Sequence, residues 1–155
     1  MTEHTAPAAG ADVTIAASPE AVYALITDLP TLAALAEETD AMEWVTGNAV
    51  APGAVFKGHN CNGSKKWTTK CTVTAAEPGR AFAFDVKSTG LPIAHWRYDI
   101  AATEGGCTVT EQTWDRRPGW FKPLAGLATG ISDRGTANAE HIKLTLARLK
   151  AKAEG

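Results

Sequence analysis

Long hydrophobic runs, basic clusters and paired cysteines are all scarce in this 155-residue sequence, and each scarcity removes a class of protein. No apolar stretch approaches the ~18 residues that a membrane-spanning helix needs, so stable membrane insertion is not expected. Lys and Arg number 15 against 17 Asp and Glu, for a formal net charge of −2. Nucleic-acid binders usually show a basic excess, and neither Lys65-Lys66 nor Arg116-Arg117 supplies one locally; nucleic acid is not an expected partner. Cys61, Cys71 and Cys107 are odd in number and in no repeated close spacing, which does not make a disulfide framework. The opening "MTEHTAPAAGAD" has neither the charged start nor the apolar core of a secretory signal. It reads as a disordered tail over residues 1–11, and a cytoplasmic location with reduced thiols is expected.

Catalytic signatures are equally sparse. There is no nucleotide-binding loop, no nucleophile with an orienting partner, and no metal-ligand set. His59-x-Cys61 lies near a turn, but alternation puts His59 on the outward face while Cys71 points inward. Neither zinc nor a Cys-His nucleophile is expected, and no cofactor is implied.

Hydrophobic residues make up 45% of the chain, enough for one domain with a core, assigned to residues 12–153. "DVTIA" at 12–16 alternates as a first strand. In "SPEAVYALITDL", Ser18 caps a helix, Pro19 fits its first position and Glu20 suits its positive end. "TLAALAEET" predicts a second short helix. From residue 42 the period becomes two: "MEWVTG", "AVFKGHN", "KKWTTKCTVTAAE", "AFAFDVK", "IAHWRYDIAA" and "CTVTEQTW" predict six strands. Asn62-Gly63, Pro78-Gly79 and Gly105-Gly106 supply turn chemistry, and such short joints imply antiparallel neighbours. Pro123 to Lys152 predicts one long amphipathic helix, with Leu124, Leu127, Ile131, Ile142, Leu146 and Leu149 on one side at ~100° per residue. The fold class is α+β: a curved seven-stranded antiparallel sheet, two short helices after its first strand, and a long C-terminal helix over one face.

Parity then assigns side chains to faces. The inward set holds Trp44, Phe56, Trp67, Phe82, Phe84, Trp96 and Tyr98, together with Asn60, Thr69, Glu111 and Thr113. The final helix adds Leu127, Ile131, Gly135 and Asn138. Many aromatics with a few convergent polar groups is the composition of a small-molecule pocket. The Gly105-Gly106 turn sets Glu111 opposite either Tyr98 or Ile100. A buried carboxylate without a partner must take up a proton or find a donor. Tyr98 and Asn138 are the candidate donors to Glu111. Trp120 and Phe121, in the connection "RRPGWFKPL", are candidates for a gate at the cavity mouth.

The sequence resembles the START-related helix-grip superfamily, in its polyketide cyclase/dehydrase and lipid-transport (SRPBCC) branch. The resemblance runs from about Asp12 to Leu149 and rests on "ASPEAVYALITDLPTLAAL", "PGAVFKGHN", "TAAEPGRAFAFDV", "HWRYDIAATEGGCTVTE" and the long C-terminal helix. It implies a sheet gripping that helix around a cavity, and binding or transport of a small hydrophobic molecule such as a lipid or polyketide. An alternative is a cyclase, aromatase or dehydratase, with Glu111 and Tyr98 as the candidate proton-transfer pair. A further alternative is a protein-interaction module that works through its surface; a homodimer is also left open.

Overall fold

The computed structural model describes residues 6–47, 49–131 and 133–155. Strand β1 (Ala9–Ile15) is followed by helices α1 (Pro19–Ile26) and α2 (Leu29–Leu35). Six strands follow: β2 (Thr39–Thr46), β3 (Val55–Asn62), β4 (Lys65–Glu77), β5 (Ala81–Ser88), β6 (Leu91–Thr103) and β7 (Gly106–Asp115). A 3-10 turn at Gly119–Phe121 leads into α3 (Lys122–Thr129) and α4 (Arg134–Glu154).

The helix starts follow local chemistry. Ser18 Oγ accepts the Ala21 amide at 3.1 Å, and Pro19 occupies the first turn, where its missing N–H costs nothing. Asp28 caps α2 in the same manner, accepting the Thr31 amide at 3.2 Å. Pro30 therefore sits in the first turn of α2.

The seven strands form one antiparallel sheet in the order β1-β7-β6-β5-β4-β3-β2. Only the pairing of β1 with β7 joins distant parts of the chain, and the curved sheet grips the C-terminal helix. Register pairs Tyr98 with Glu111 and Trp96 with Thr113. Phe82 and Phe84 stand opposite Tyr98 and Trp96. The strict alternation expected in β4 fails at one point. A bulge between Val73 and Ala75 makes Ala76, not Ala75, the residue facing Phe82, because one extra residue reverses parity beyond it.

The helix expected over 31–39 ends at Leu35, and β2 begins at Thr39 rather than at residue 42; two other boundaries differ further. The first strand starts at Ala9, within the stretch read as tail, and Ala9, Gly10 and Ala11 pair with Thr113, Gln112 and Glu111. Ladder hydrogen bonds use only the backbone, so "AGA" pairs without showing a hydrophobic alternation. Residues 1–5 of that tail lie outside the described residues.

The second difference concerns the final helix, which is two helices. Gly130 adopts φ +76° as the left-handed cap of α3, and Asp133 starts α4 by accepting the Thr136 amide at 3.1 Å. A left-handed residue ends the helical phase, so the ~100° register does not carry across it. Leu124 and Leu127 are consequently 54% and 71% exposed, while Ile142, Leu146 and Leu149 are buried as expected. Asn62, at the β3–β4 hairpin, donates its amide to the Thr129 carbonyl at 2.9 Å, tying the end of α3 to the sheet.

The second half of α4 seals the core against β1 and the α1–α2 layer: Leu146 and Leu149 are buried in one cluster with Ile15, Val22 and Ile26. The first half of α4 faces the sheet across a hollow.

Candidate functional site

A cavity of about 250 Å³ lies between the concave face of the sheet, α2, α3 and the first half of α4. Its sheet wall is aromatic and aliphatic: Trp67, Phe84, Val86, Ile93 and Trp96, with Tyr98 deeper in. Asn60, Thr69, Glu111 and Thr113 supply the polar points that parity predicts on this face.

Several of those polar groups are already satisfied by protein. Asn60 accepts from the Thr39 hydroxyl at 3.0 Å and donates to Thr69 Oγ1 at 3.2 Å. Gly58 stands opposite Thr69, and a Cβ there would come within 2.9 Å of Thr69 Oγ1, so glycine makes room for this pair. Thr113 donates to the His95 carbonyl at 3.1 Å.

Glu111 is different. It is 2% exposed, and its Oε2 accepts the Tyr98 hydroxyl at 2.8 Å. Its Oε1 is buried and has no partner among the described residues. Burial pushes the Glu111 carboxyl up to about 8, against the opposing influence of the Tyr98 hydrogen bond. Burial, with Glu111 beside it, also drives the Tyr98 hydroxyl well above its usual range. At neutral pH Glu111 is therefore mainly a neutral acid. Because Oε2 is accepting from Tyr98, the proton belongs on Oε1, which makes that oxygen a donor.

The first half of α4 presents a polar face of which the sequence pattern places only Gly135 and Asn138. Arg134, Gly135, Asn138, His141, Ile142 and Thr145 all border the cavity, at spacings that bring them to one side of a helix. The Asn138 side chain has no hydrogen-bond partner among the described residues. The His141 side chain is only 22% exposed, with Nδ1 3.9 Å from Glu38 Oε1. Arg134 Nη1 donates to the same Glu38 oxygen at 2.7 Å. Glu38 was missed because it follows α2, 96 residues before its partner, and no local pattern links them. At another part of the wall Arg117 is clasped by Asp115, with Nη2 2.8 Å from Oδ2 and Nε 3.0 Å from Oδ1.

Other expected residues fall elsewhere. Phe56 and Phe82 are fully buried and form solid core behind Phe84, their ring centroids each 5.3 Å from that ring. Trp44 packs edge-on to Phe56 and lines a separate surface depression beside Tyr23 and Val50. Inward parity selected these three correctly as to face, but the sheet is filled at their end. Leu127 points to solvent, and half-buried Ile131 lies in the α3–α4 break outside the cavity wall. Of the gate pair, Phe121 lines the cavity. Trp120 is 65% exposed and leans on Phe121 at 5.8 Å between ring centroids.

The site offers little covalent chemistry. Burial pushes the Cys71 thiol, in the cavity wall, up to about 12, so it is not a thiolate. Among the described residues no group of three His, Cys, Asp or Glu side chains could hold a metal ion, and no helix is long and apolar enough to cross a membrane. What the wall can do is exclude water, orient an apolar body and exchange hydrogen bonds or a proton at a few points.

Comparison with known proteins agrees with this architecture. A Polyketide_cyc-like protein, Cgl2372 from Corynebacterium glutamicum, is 25% identical; the match covers 91% of this chain and 87% of that one, with a TM-score of 0.61. Protein CV1439 from Chromobacterium violaceum is 18% identical over 94% and 96% of the two chains, with a TM-score of 0.66. The di-domain ARO/CYC StfQ from the steffimycin biosynthetic pathway superposes with a TM-score of 0.72 at 13% identity. There the match covers 94% of this chain and 49% of StfQ. Among curated proteins no sequence matches. Residues 8–154 match the family described as polyketide cyclase / dehydrase and lipid transport, and the chain belongs to that family.

Proposed function

We propose that the protein binds a compact, mainly hydrophobic small molecule in the cavity between the sheet and the first half of α4. The observation that supports this reading most strongly is Glu111. An acidic side chain 2% exposed, with one oxygen unpartnered among the described residues in a largely apolar sheet wall, is costly in a core filled only for stability. A polar atom of a bound molecule offsets that cost. The volume of about 250 Å³ lies just below the ~300–1,000 Å³ typical of ligand pockets, which favours a small ring system over a long acyl chain. Phe121 forms part of the mouth, and Trp120 behind it supports its position.

The test is native mass spectrometry on protein gently extracted from its host, followed by displacement with apolar dyes. Recovery of a discrete small molecule, lost in a Trp96→Ala variant that stays folded, supports the reading. Empty protein in every preparation, combined with no uptake of any apolar dye, sinks it.

One observation also favours a catalytic reading, in which a substrate with a carbonyl group is cyclised or dehydrated. A neutral acid whose proton sits on a free oxygen, with a pKa of about 8, is suited to general acid–base work near neutral pH. In that reading Glu111 donates its Oε1 proton to a substrate oxygen and Tyr98 holds the carboxyl in place, while the walls restrain the substrate's conformation. Unchanged turnover by Glu111→Gln would remove the proton-transfer role.

A further inference from the structure

We propose that Glu38, held at the α2–β2 junction by Arg134 of α4, forms a second polar subsite that selects ligands offering a hydroxyl donor and disfavours carboxylates. This rests on the cavity being a ligand site and adds the chemistry of the ligand's far end. Glu38, Arg134, Asn138 and His141 all border the same cavity as Glu111, yet they come from other elements than Glu111 and Tyr98.

The hydrogen-bond inventory is what decides the chemistry. Glu38 Oε1 takes the Arg134 guanidinium at 2.7 Å. Glu38 Oε2 is fully buried with no partner among the described residues, although both side chains of the pair are only 16% exposed. Among the described residues no neighbouring donor reaches Oε2: the Thr39 hydroxyl goes to Asn60, and His141 Nδ1 stands 3.9 Å from the other oxygen, Oε1. Glu37, the adjacent carboxylate, accepts from Arg148 at 2.8 Å. Arg134 is neutralised by Glu38, so an incoming carboxylate meets no uncompensated positive charge and must compete with an established pair. A hydroxyl instead gives Glu38 Oε2 the donor it lacks once a side-chain rotation turns that buried oxygen toward the cavity, and the Asn138 amide on the same wall is a partner for the hydroxyl oxygen.

The test uses three matched probes: a naphthol, its methyl ether and the corresponding naphthoate. Binding is read from quenching of Trp67 and Trp96 fluorescence. The naphthol is expected to bind about tenfold or more tightly than the ether, the size of effect of a hydrogen bond to a charged group, with naphthoate weakest. Replacing both charges together, Glu38→Met with Arg134→Met, is expected to equalise naphthol and ether, because an apolar pair of similar volume removes the acceptor without stranding the guanidinium. In Glu38→Gln alone, naphthoate is expected to gain, since Arg134 then lacks its carboxylate. Naphthoate binding best to the unaltered protein would make Arg134 an anion reader and overturn the inference. A naphthol preference that survives in the folded double variant would place the acceptor elsewhere, and equal binding of naphthol and ether to the unaltered protein would also overturn it. Each of these three results leaves the cavity reading standing. Failure of all three probes and of apolar dyes overturns both.

Discussion

The Tyr98 hydroxyl on β6 reaches the Glu111 carboxylate on β7 at 2.8 Å, directly across a paired position of the sheet. This contact lies beneath the first half of α4, where the interior is hollow. It stabilises the charged form of Glu111, yet burial outweighs it and holds the carboxyl near 8 instead of its ordinary 4.5.

A pH dependence of stability follows from that shift. The folded state holds the Glu111 proton more tightly than the unfolded chain does, so between pH 4.5 and about 8 it binds more protons. The free energy of unfolding therefore falls as pH rises through that window. Glu111's contribution is complete below the unfolded value and absent above the folded one, a loss on the order of several kcal/mol. Urea unfolding at a series of pH values is expected to show this slope in the unaltered protein and a flatter profile in Glu111→Gln. Above pH 8.5, roughly half a unit past the folded value, the variant is expected to be at least as stable as the parent.

Tyr98→Phe acts on the same pair from the other side. Removing the hydroxyl leaves both Glu111 oxygens without a donor and is expected to cost about 1–3 kcal/mol. Because Tyr98 is the influence that lowers the Glu111 pKa, its loss moves the titration upward. Carboxyl-carbon NMR of labelled Glu111 is the direct readout. A downward shift, or none, would contradict the pairing.

Gly135 offers a way to fill the hollow. It borders the cavity near the start of α4, and a Cβ there meets only Asp133 Oδ1, at 3.8 Å. Gly135→Leu is expected to change stability by less than about 1.5 kcal/mol, because the space is open rather than close-packed. Binding of an apolar dye is expected to fall at least tenfold. By contrast Phe82→Ala, in the filled core behind the wall, is expected to cost about 3–5 kcal/mol.

Asn62→Ala tests the tie between the β3–β4 hairpin and α3. Loss of the hydrogen bond to the Thr129 carbonyl is expected to cost about 1 kcal/mol. Hydrogen exchange is expected to rise selectively over α3, which contributes Ala125, Ala128 and Thr129 to the wall. Uniform exchange changes across the sheet would indicate a different role for Asn62.

The sheet was legible because its information is local. Alternation assigned faces in β5, β6 and β7, and the glycine turn at Gly105-Gly106 placed Glu111 within one residue pair of its observed partner, Tyr98. The bulge in β4 left no mark in composition. The break between α3 and α4 was concealed because "AGLATGISDRG" keeps helical spacing of its apolar residues on both sides of Gly130. Only the positive φ of Gly130, with the caps that follow, dissociates Leu124 and Leu127 from the core stripe. The polar end of the cavity was hidden for a different reason. Asn138 reads as inward-facing from the sequence, but Arg134 and His141 look like solvated positions, and only the fold brings Glu38 to meet them. Similarly, parity could select Phe56 and Phe82 as inward but could not say where the interior is filled and where it is open.

If the open region beneath the first half of α4 holds the ligand, chemical-shift mapping shows it residue by residue. On adding a naphthol, perturbations are expected to concentrate at the Trp67 and Trp96 indoles, the Glu111 carboxyl and the Asn138 side-chain amide. Perturbations confined instead to the exposed Trp120, Leu124 and Leu127, with the cavity signals unmoved, would contradict it.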